Sequence, residues 1–406
     1  MQKITSDVRA RIAVTFLFVF TGAATTTWAV HIPVVKERFD LSNAQVGWVI
    51  MMLGLGAFTS MQFMGHLIDK RGSKFGTVVA GLCTSVVVVL PGLATNVYTL
   101  CAALFAFGFF LSATDVSMNA QAVELEKRYG RPIFSAFHAY WSIGCVIGAT
   151  LGAAALAAGW PMFVTLATVG VMGLLMVLVA NSWFLSNVQQ VKSVENSLSK
   201  KELKAQIKLQ NAANRPYLKL VIALGIMAGS GALIEGVGLD WSALFSVGIL
   251  KVSASQAAIS VTVFSAAMAS FRFVADKVVS RVGRIAVIRY GSALAAIGVA
   301  FAITQSVFAI SIVGWLIAGL GISAVVPQIF AYSASVGAET HAGRNMAIVF
   351  GLCYAAMLGG PAVIGWVSSL APLNITLWIG VLLGAYIFTT SLFLPKDKSL
   401  DTKSVK

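Results

Sequence analysis

The sequence predicts an all-α polytopic membrane protein in which twelve transmembrane helices form two pseudo-symmetric bundles of six. Apolar residues make up 58% of the 406-residue chain and charged residues only 11%, against about 25% charged in soluble domains. Twelve apolar segments are long enough to cross a hydrocarbon core about 30 Å thick as helices. The second half of the chain also repeats features of the first.

The helices are assigned from the apolar runs between charged or turn-forming residues. Their predicted bounds are Ala10–Ile32, Asn43–Ile68, Phe75–Leu93, Tyr98–Ala122, Pro132–Ala158, Trp160–Leu185, Tyr217–Phe245, Ser253–Ala275, Ile285–Ile303, Phe308–Ala334, Asn345–Leu370 and Ile375–Leu394. The long polar segment 186–216 is interpreted as a cytoplasmic linker with a short amphipathic helix. It divides the chain into an N-terminal bundle, 1–185, and a C-terminal bundle, 217–406.

The positive charge predicts orientation and argues against nucleic-acid binding. With both termini cytoplasmic, three of the 29 Lys and Arg residues lie outside, namely Lys36, Arg38 and Lys251, and Arg272 lies within a helix. All the others lie on the cytoplasmic side, as the positive-inside rule requires. The net charge of +14 therefore reflects membrane topology.

The four cysteines and four histidines are scattered. No CxxC pair or metal-ligand spacing is present, so the cysteines are interpreted as buried core residues, with no metal and no cofactor. The first apolar run is too long for the core of a signal peptide and is expected to remain as the first helix.

The first helix carries a polar stretch near its end. Thr25, Thr26 and Thr27 precede Trp28. Threonine hydroxyls can bond back to helix carbonyls, or the patch can line a polar cavity, and both interpretations stay open. In the second case Thr26 and Trp28 are candidate substrate-binding residues. His31 is interpreted as an interfacial residue at the helix end.

The fourth helix contains a carboxylate, Asp115, inside an apolar segment. Such a charge at the bilayer centre costs about 2.5 to 3.5 kcal/mol, so these residues usually serve a function. Asn119 lies four residues on, on the same helix face, where it can hydrogen-bond to Asp115 or to a ligand that Asp115 also touches. Asp115 is therefore the first functional candidate, for proton coupling, and Asn119 is a substrate-binding candidate.

The fifth helix holds His138 and Trp141, then glycines 144, 148 and 152 at four-residue spacing. The glycine stripe predicts close helix packing. His138 can titrate near neutrality, so it is either a proton-relay residue in a cavity or a packed structural histidine. Trp141 is a candidate aromatic platform for a solute.

The seventh, eighth and tenth helices supply further polar candidates. Glu235 is placed in the cavity as a proton-coupling candidate, and Asp240 is placed closer to the outer surface. Arg272 and Asp276 have the spacing of an intrahelical ion pair, so they are predicted to form a structural latch at the cytoplasmic end. The remaining candidates for substrate binding are Trp241, Gln328 and Tyr332.

The two halves are related by an offset of 211 residues. The offset superposes Gly72 on Gly283, Gly108 on Gly319, Ser112 on Ser323, Ala113 on Ala324 and Gly148 on Gly359. Asp115 corresponds to Val326, beside Pro327, so the carboxylate is not duplicated. The repeat predicts a cavity on the pseudo-two-fold axis.

The turn after the second helix has a specific pattern. It consists of Gly65, Asp69, Lys70, Arg71, Gly72 and Lys74. One carboxylate beside three cations can latch neighbouring helix ends, and the glycines allow close approach and a tight turn. The pattern resembles the loop signature of the major facilitator superfamily at every consensus position. The resemblance implies two six-helix bundles around a central cavity, alternately open to either side, and a monomer.

A closer resemblance is to the fucose-proton symporter group and its YbjJ-like branch in the bacterial inner membrane. It rests on Asp115 with Asn119, His138 with Ser142 and Gly144, Glu235 with Trp241, and Arg272 with Phe273. The symporters carry a second carboxylate in the first helix, where this chain has Ala29. That departure argues against fucose as the substrate.

The resemblance implies a secondary active transporter with a small-molecule substrate and a proton as partners. Import of a sugar-like or other polar metabolite by symport is the favoured hypothesis, because the Asn, Thr, Gln and Trp residues suit a hydroxylated solute. Export of drugs or amphipathic metabolites by antiport is the alternative. No catalytic motif is present, so no enzyme is expected.

Overall fold

The computed structural model describes residues 2–129, 133–185, 215–337 and 342–395. Twelve helices in these residues are long and apolar enough to span a membrane. They are α1 Ser6–Val30, α2 Asn43–Ile68, α3 Ser73–Leu93, α4 Val97–Tyr129, α5 Ala136–Ala157, α6 Met162–Ala180, α7 Leu218–Gly248, α8 Ala254–Val282, α9 Arg284–Thr304, α10 Phe308–Ala334, α11 Ile348–Leu370 and α12 Leu373–Ser391. The predicted fold class is confirmed. Nearly all of the predicted linker lies outside the described residues.

Each half is assembled by the same set of helix contacts. In the first half α1 packs on α5, α2 on α4, and α3 on α4 and α6. In the second half α7 packs on α11, α8 on α10, and α9 on α10 and α12. The halves meet through α2 with α11 and through α5 with α8. The pseudo-symmetry therefore extends to the packing.

Glycine explains how the paired helices approach so closely. A Cβ on Gly108 of α4 would overlap the carbonyl oxygen of Leu53 in α2. A Cβ on Gly319 of α10 would lie 2.5 Å from the carbonyl oxygen of Phe264 in α8. These two contacts are equivalent under the offset of 211. The predicted stripe on α5 also packs closely, since a Cβ on Gly144 or Gly148 would overlap the backbone of α1.

Local turns repeat as well. The turn glycines Gly72 and Gly283 have φ of 82° and 86°, with ψ of 156° and 157°. Residues with a Cβ rarely adopt this conformation, whereas glycine adopts it without steric cost. Ser42 with Gln45 and Ser253 with Gln256 form the same capping box before α2 and α8. The predicted equivalence of Gly148 and Gly359 does not extend to their packing. A Cβ on Gly148 would overlap the backbone of α1, whereas nothing lies within 4 Å of a Cβ on Gly359.

The two ends of the bundle differ in packing between the halves. We call the end with the Gly72 and Gly283 turns the basic end and the opposite one the far end. At the far end a short helix, Ile32–Arg38, packs against the last turns of α7, Ser242–Gly248. Also at that end, a Cβ on Gly47 of α2 would overlap the carbonyl oxygen of Pro361 in α11. In the described residues no comparable packing joins α4 to α10 at the basic end. Among the described residues, the halves are therefore packed together more closely at the far end than at the basic end.

Candidate functional site

Arg272 of α8 joins the two halves at mid-depth. Its Nη1 donates to the hydroxyl of Ser142 in α5 at 2.9 Å, and its Nη2 lies 3.5 Å from Oε1 of Glu235 in α7. The guanidinium carbon sits 5.6 Å from the ring centroid of Trp141, a distance that allows a cation–π interaction. One cation thus contacts a hydroxyl and an aromatic ring of α5 and a carboxylate of α7.

The fourth partner of Arg272 is a carbonyl released by a proline. Helix α10 is interrupted at Ser323 and Ala324, between Phe308–Ile322 and Val325–Ala334. Pro327 has no amide hydrogen, so it cannot make the helical bond to the carbonyl of Ser323. Nε of Arg272 donates to that carbonyl at 3.2 Å. Arg272 therefore caps the break in α10.

A small cavity remains beside this cluster. It measures about 10 Å³ and is lined by residues that include Ser142, Cys145, Ser265 and Met268. This is the volume of about one water molecule. A cavity of this size is too small for a metabolite. A larger pocket of about 420 Å³ lies at the far end between α9 and α12 and contains no charged side chain.

Asp115 and Asn119 form the second polar cluster, on α4. The amide nitrogen of Asn119 donates to Oδ1 of Asp115 at 3.1 Å and to its backbone oxygen at 2.8 Å. The predicted contact across one helical turn is thus present. In the described residues no Lys, Arg or His forms an ion pair with Asp115. The carboxylate lies inside a spanning helix without a cation.

Tyr354 of α11 lies within electrostatic range of the carboxylate of Asp115. Its ring continues a stack along the second half, with centroids 6.5 Å from Phe350, which in turn stacks on Phe330 at 4.0 Å. An aromatic wall thus joins α10 to α11 and ends at Tyr354.

His138 lies on the path near the basic end. Its side chain is exposed, and its ring meets Phe18 of α1 edge to face at 5.3 Å. The backbone oxygen of His138 accepts a hydrogen bond from Ser142, the partner of Arg272. The structure thus places His138 next to the Arg272 cluster.

Several predicted substrate-binding residues are instead part of the packing. Thr26 is fully buried and donates to the carbonyl of Cys145 at 2.7 Å, which ties α1 to α5. Trp28 and Trp241 are 3% and 1% exposed and belong to the core. The hydroxyl of Tyr332 donates to the carbonyl of Pro395 at 2.7 Å. The prediction that these four side chains bind solute is therefore corrected.

Three other assignments also change. Gln328 accepts a hydrogen bond from Nε of Arg284 at 3.1 Å, which places it near the basic end and away from the Arg272 cluster. Arg272 does not pair with Asp276, which is exposed, because the guanidinium points toward α5, α7 and α10. His31 is completely buried, with Nδ1 2.7 Å from the carbonyl of Thr27. It is therefore not an interfacial residue.

The loop signature is only partly described. Gly72 makes the predicted turn, and the guanidinium of Arg71 lies 4.9 Å from the ring centroid of Phe75. Lys70 is exposed and Lys74 is partly buried. A Cβ on Gly65 would meet nothing within 4 Å, so the predicted close approach there is absent. The side chain of Asp69 lies outside the described residues.

One feature escaped sequence reasoning. Helix α7 contains a π-helical turn, Val237–Trp241, with Asp240 in it. Such turns often mark functional sites. Asp240 was visible as a charge in an apolar segment, but no local pattern predicts the extra residue of a π turn. The interrupted α10 had a usable signal, since Pro327 predicts one freed carbonyl.

Comparison with known proteins agrees with this architecture. The profile of the Major Facilitator Superfamily matches residues 12–249 and 237–406. An uncharacterised transporter of Sinorhizobium fredii, y4wD, is 31% identical over 91% of this chain and 94% of the relative. An uncharacterised superfamily-type transporter of Yersinia pestis is 30% identical over 92% and 93%. The membrane protein MosC of Rhizobium meliloti is 27% identical over 95% and 90%.

Solved structures show the same fold at low identity. The nucleoside transporter NupG aligns with a TM-score of 0.71 and 13% identity, covering 99% of both chains. A D-xylose-proton symporter aligns with a TM-score of 0.72 and 15% identity, covering 97% of this chain and 98% of the other. The chain belongs to the Major Facilitator Superfamily and is a membrane transporter, not an enzyme.

Proposed function

We propose that this chain is a proton-coupled secondary active transporter that moves a small polar metabolite by alternating access. The observation that carries the proposal is the Asp115–Asn119 cluster, a carboxylate within a spanning helix that has no cation partner in the described residues. An ionised carboxylate is costly at membrane depth, so it binds a proton or a cation whenever the path closes around it. Asp115 is thus the group that takes up and releases the coupling proton.

The energy available fits coupling to a single proton. One charge moving through 100 mV supplies about 2.3 kcal/mol, which corresponds to roughly fifty-fold accumulation or expulsion of a neutral solute. Glu235 and His138 are the groups through which the proton reaches the path, because both lie beside the Arg272 cluster. Asn119 and Trp141 remain the candidates for solute contact.

The orientation follows from the charges. The basic end faces the cytoplasm of a bacterial cell, with both termini inside and the inner membrane as the location. The described conformation is then closed on the outer side, where the Ile32–Arg38 helix packs against α7. The division into 1–185, 186–216 and 217–406 and the monomeric state belong to the same proposal.

The superfamily branch also remains part of the proposal. The YbjJ-like and fucose-proton symporter-like motifs support a polar, sugar-like solute taken up with a proton. The names of the structural neighbours, a nucleoside transporter and a D-xylose-proton symporter, support hydroxylated solutes. Symport follows if the solute binds protonated Asp115, and exchange follows if the solute and the proton compete for it.

Proteoliposomes containing a pH-sensitive dye test the coupling. Concentration gradients of D-xylose, uridine, glucosamine and gluconate are imposed one at a time. We expect at least one of them to drive proton movement through the wild-type protein. Asp115→Asn should abolish that movement, whereas Asp276→Asn, at an exposed carboxylate of α8, should retain it. The sign of the pH change separates symport from exchange. Full proton movement by Asp115→Asn would show that another group carries the coupling proton.

A further inference from the structure

The α4 cluster offers acceptors and no donors. The amide nitrogen of Asn119 makes two hydrogen bonds, both to Asp115. An amide NH₂ has two hydrogens, so both are used. If the amide group were flipped, its oxygen would lie against two oxygens of Asp115. The repulsion between these oxygens excludes the flipped orientation while the carboxylate is ionised. The atoms of the cluster that remain for hydrogen bonds with a ligand are therefore oxygens.

One of those oxygens is buried without a partner. Oδ1 of Asn119 is inaccessible to solvent and has no hydrogen-bond partner within the described residues. The carboxylate beside it is an acceptor when ionised. A buried acceptor without a donor costs free energy, so the pair favours a ligand that brings donors to both residues.

The described residues around the cluster do not supply those donors. Arg272 directs its nitrogens to Ser142, Ser323 and Glu235, so its charge is taken up at the other cluster. Tyr354 on α11 is the titratable group that faces Asp115, and it is a phenol and not a cation. Among the described residues, the ionised α4 cluster is thus left with one uncompensated negative charge.

We propose that the solute carries a protonated amine, as in an amino sugar or another small hydroxylated amine, and that its ammonium group binds Asp115 and Asn119. An ammonium group has three donors and no acceptor, which complements an acceptor-only pair. The aromatic wall that ends at Tyr354 adds a surface on which a cation is stabilised. This inference rests on the proposed function for the location of the site, and it names the substrate class.

The charge balance also selects the mode of coupling. Protonated Asp115 is neutral, and Asp115 with a bound ammonium group is neutral as a pair. A carrier that alternates between these two forms never reorients with an isolated ionised carboxylate in the membrane. Because the ammonium group and the proton compete for the same oxygens, amine binding releases a proton. The amine is then exchanged against a proton, in place of the symport that the motifs alone suggest.

Matched probes test the substrate class in purified protein. Thermal stabilisation is measured with glucosamine, glucose and N-acetylglucosamine, and with ethanolamine and ethylene glycol. We expect the amine of each set to bind about tenfold more tightly than its neutral partners. Asp115→Asn should remove this preference, and Asn119→Leu should weaken amine binding several-fold. Ser117→Ala, whose hydroxyl bonds within α4, should behave as wild type.

Each outcome has a defined meaning. Neutral sugars that bind as well as or better than the amines overturn the inference, and so does a panel in which no amine stabilises the protein. If a neutral sugar drives proton movement that depends on Asp115, the substrate class is wrong and the proposed function stands. If an amine is transported without proton movement, the substrate class stands and proton coupling fails.

Discussion

The guanidinium of Arg272 in the second half donates to the hydroxyl of Ser142 in the first, with Nη1 2.9 Å from Oγ. The bond crosses the interface between α8 and α5, which is one of the two main contacts between the halves. It lies one helical turn from His138, whose carbonyl accepts from the same hydroxyl. A substitution at Ser142 therefore tests how much this bond stabilises the interface.

Ser142→Ala should destabilise the protein by about 1–3 kcal/mol, because it leaves a buried N–H of Arg272 without its partner. Chemical denaturation of the detergent-solubilised protein measures the change. Ser270→Ala is the matched control, since Ser270 is an exposed serine of α8 whose hydroxyl bonds within its own helix. Equal stability of the two variants would show that the bond between the halves contributes nothing.

Pro327→Ala should rescue part of the damage done by Arg272→Met. The new amide at position 327 can donate to the carbonyl of Ser323, which Arg272 otherwise satisfies, and one such bond contributes about 0.5–1.5 kcal/mol. The free energy of unfolding of both single variants and the double variant measures the coupling. Pro361→Ala in α11 should give no such rescue. Strict additivity of Pro327→Ala with Arg272→Met would contradict the capping role of Arg272.

Gly47→Ala should open the far end. A Cβ at this position would overlap the carbonyl oxygen of Pro361, and overpacking of this kind costs about 1–3 kcal/mol. We expect spin-label distances across the far end to lengthen and those across the basic end to shorten. Gly351→Ala, where a Cβ meets nothing within 4 Å, is the control in the same helix pair. Unchanged distances in Gly47→Ala would show that closure tolerates the extra methyl group.

Lys251→Gln should stabilise the folded protein against unfolding. Burial and the charge of Lys251 lower the pKa of Lys36 from its ordinary value of 10.5. Between the lowered pKa and 10.5 the folded state binds fewer protons than the unfolded state, so stability rises with pH. Removing Lys251 should therefore add up to about 0.5 kcal/mol at neutral pH, with the gain shrinking as pH approaches 10.5.

Melting temperatures across this pH range measure the effect of Lys251→Gln. Lys277→Gln, at an exposed lysine of α8 remote from Lys36, should change stability little and without this pH dependence. A Lys251→Gln gain that is the same at all pH values would show that repulsion from Lys36 is not its cause.

Sequence reasoning worked where the physics is local. The Asp115–Asn119 contact follows from helix geometry alone, and the turn at Gly72 follows from a glycine that needs positive φ. The repeat was visible from a few residues, and its structural signs at Gly72 and Gly283 agree to within a few degrees. These features depend on neighbours within one or two helical turns.

The errors occurred where the partner lies on another helix. The four-residue spacing of Arg272 and Asp276 predicts an ion pair within α8, yet the partners of Arg272 come from three other helices. Trp28, Trp241 and Tyr332 were placed in the cavity, but a helix that is apolar all round does not reveal which face meets its neighbours. Residue type therefore identified candidates without deciding which of them face the path.

The sequence alone determined the twelve spans, because membrane insertion depends on the transfer free energy of each segment. It also predicts the orientation, from the charges that flank the spans. It also singled out Asp115 as a costly charge. Only the tertiary structure decided that Arg272 caps the break in α10, that Asn119 presents an unpartnered acceptor, and that the halves close at the far end. Those properties depend on how separate helices rotate and pack against one another, which no single segment encodes.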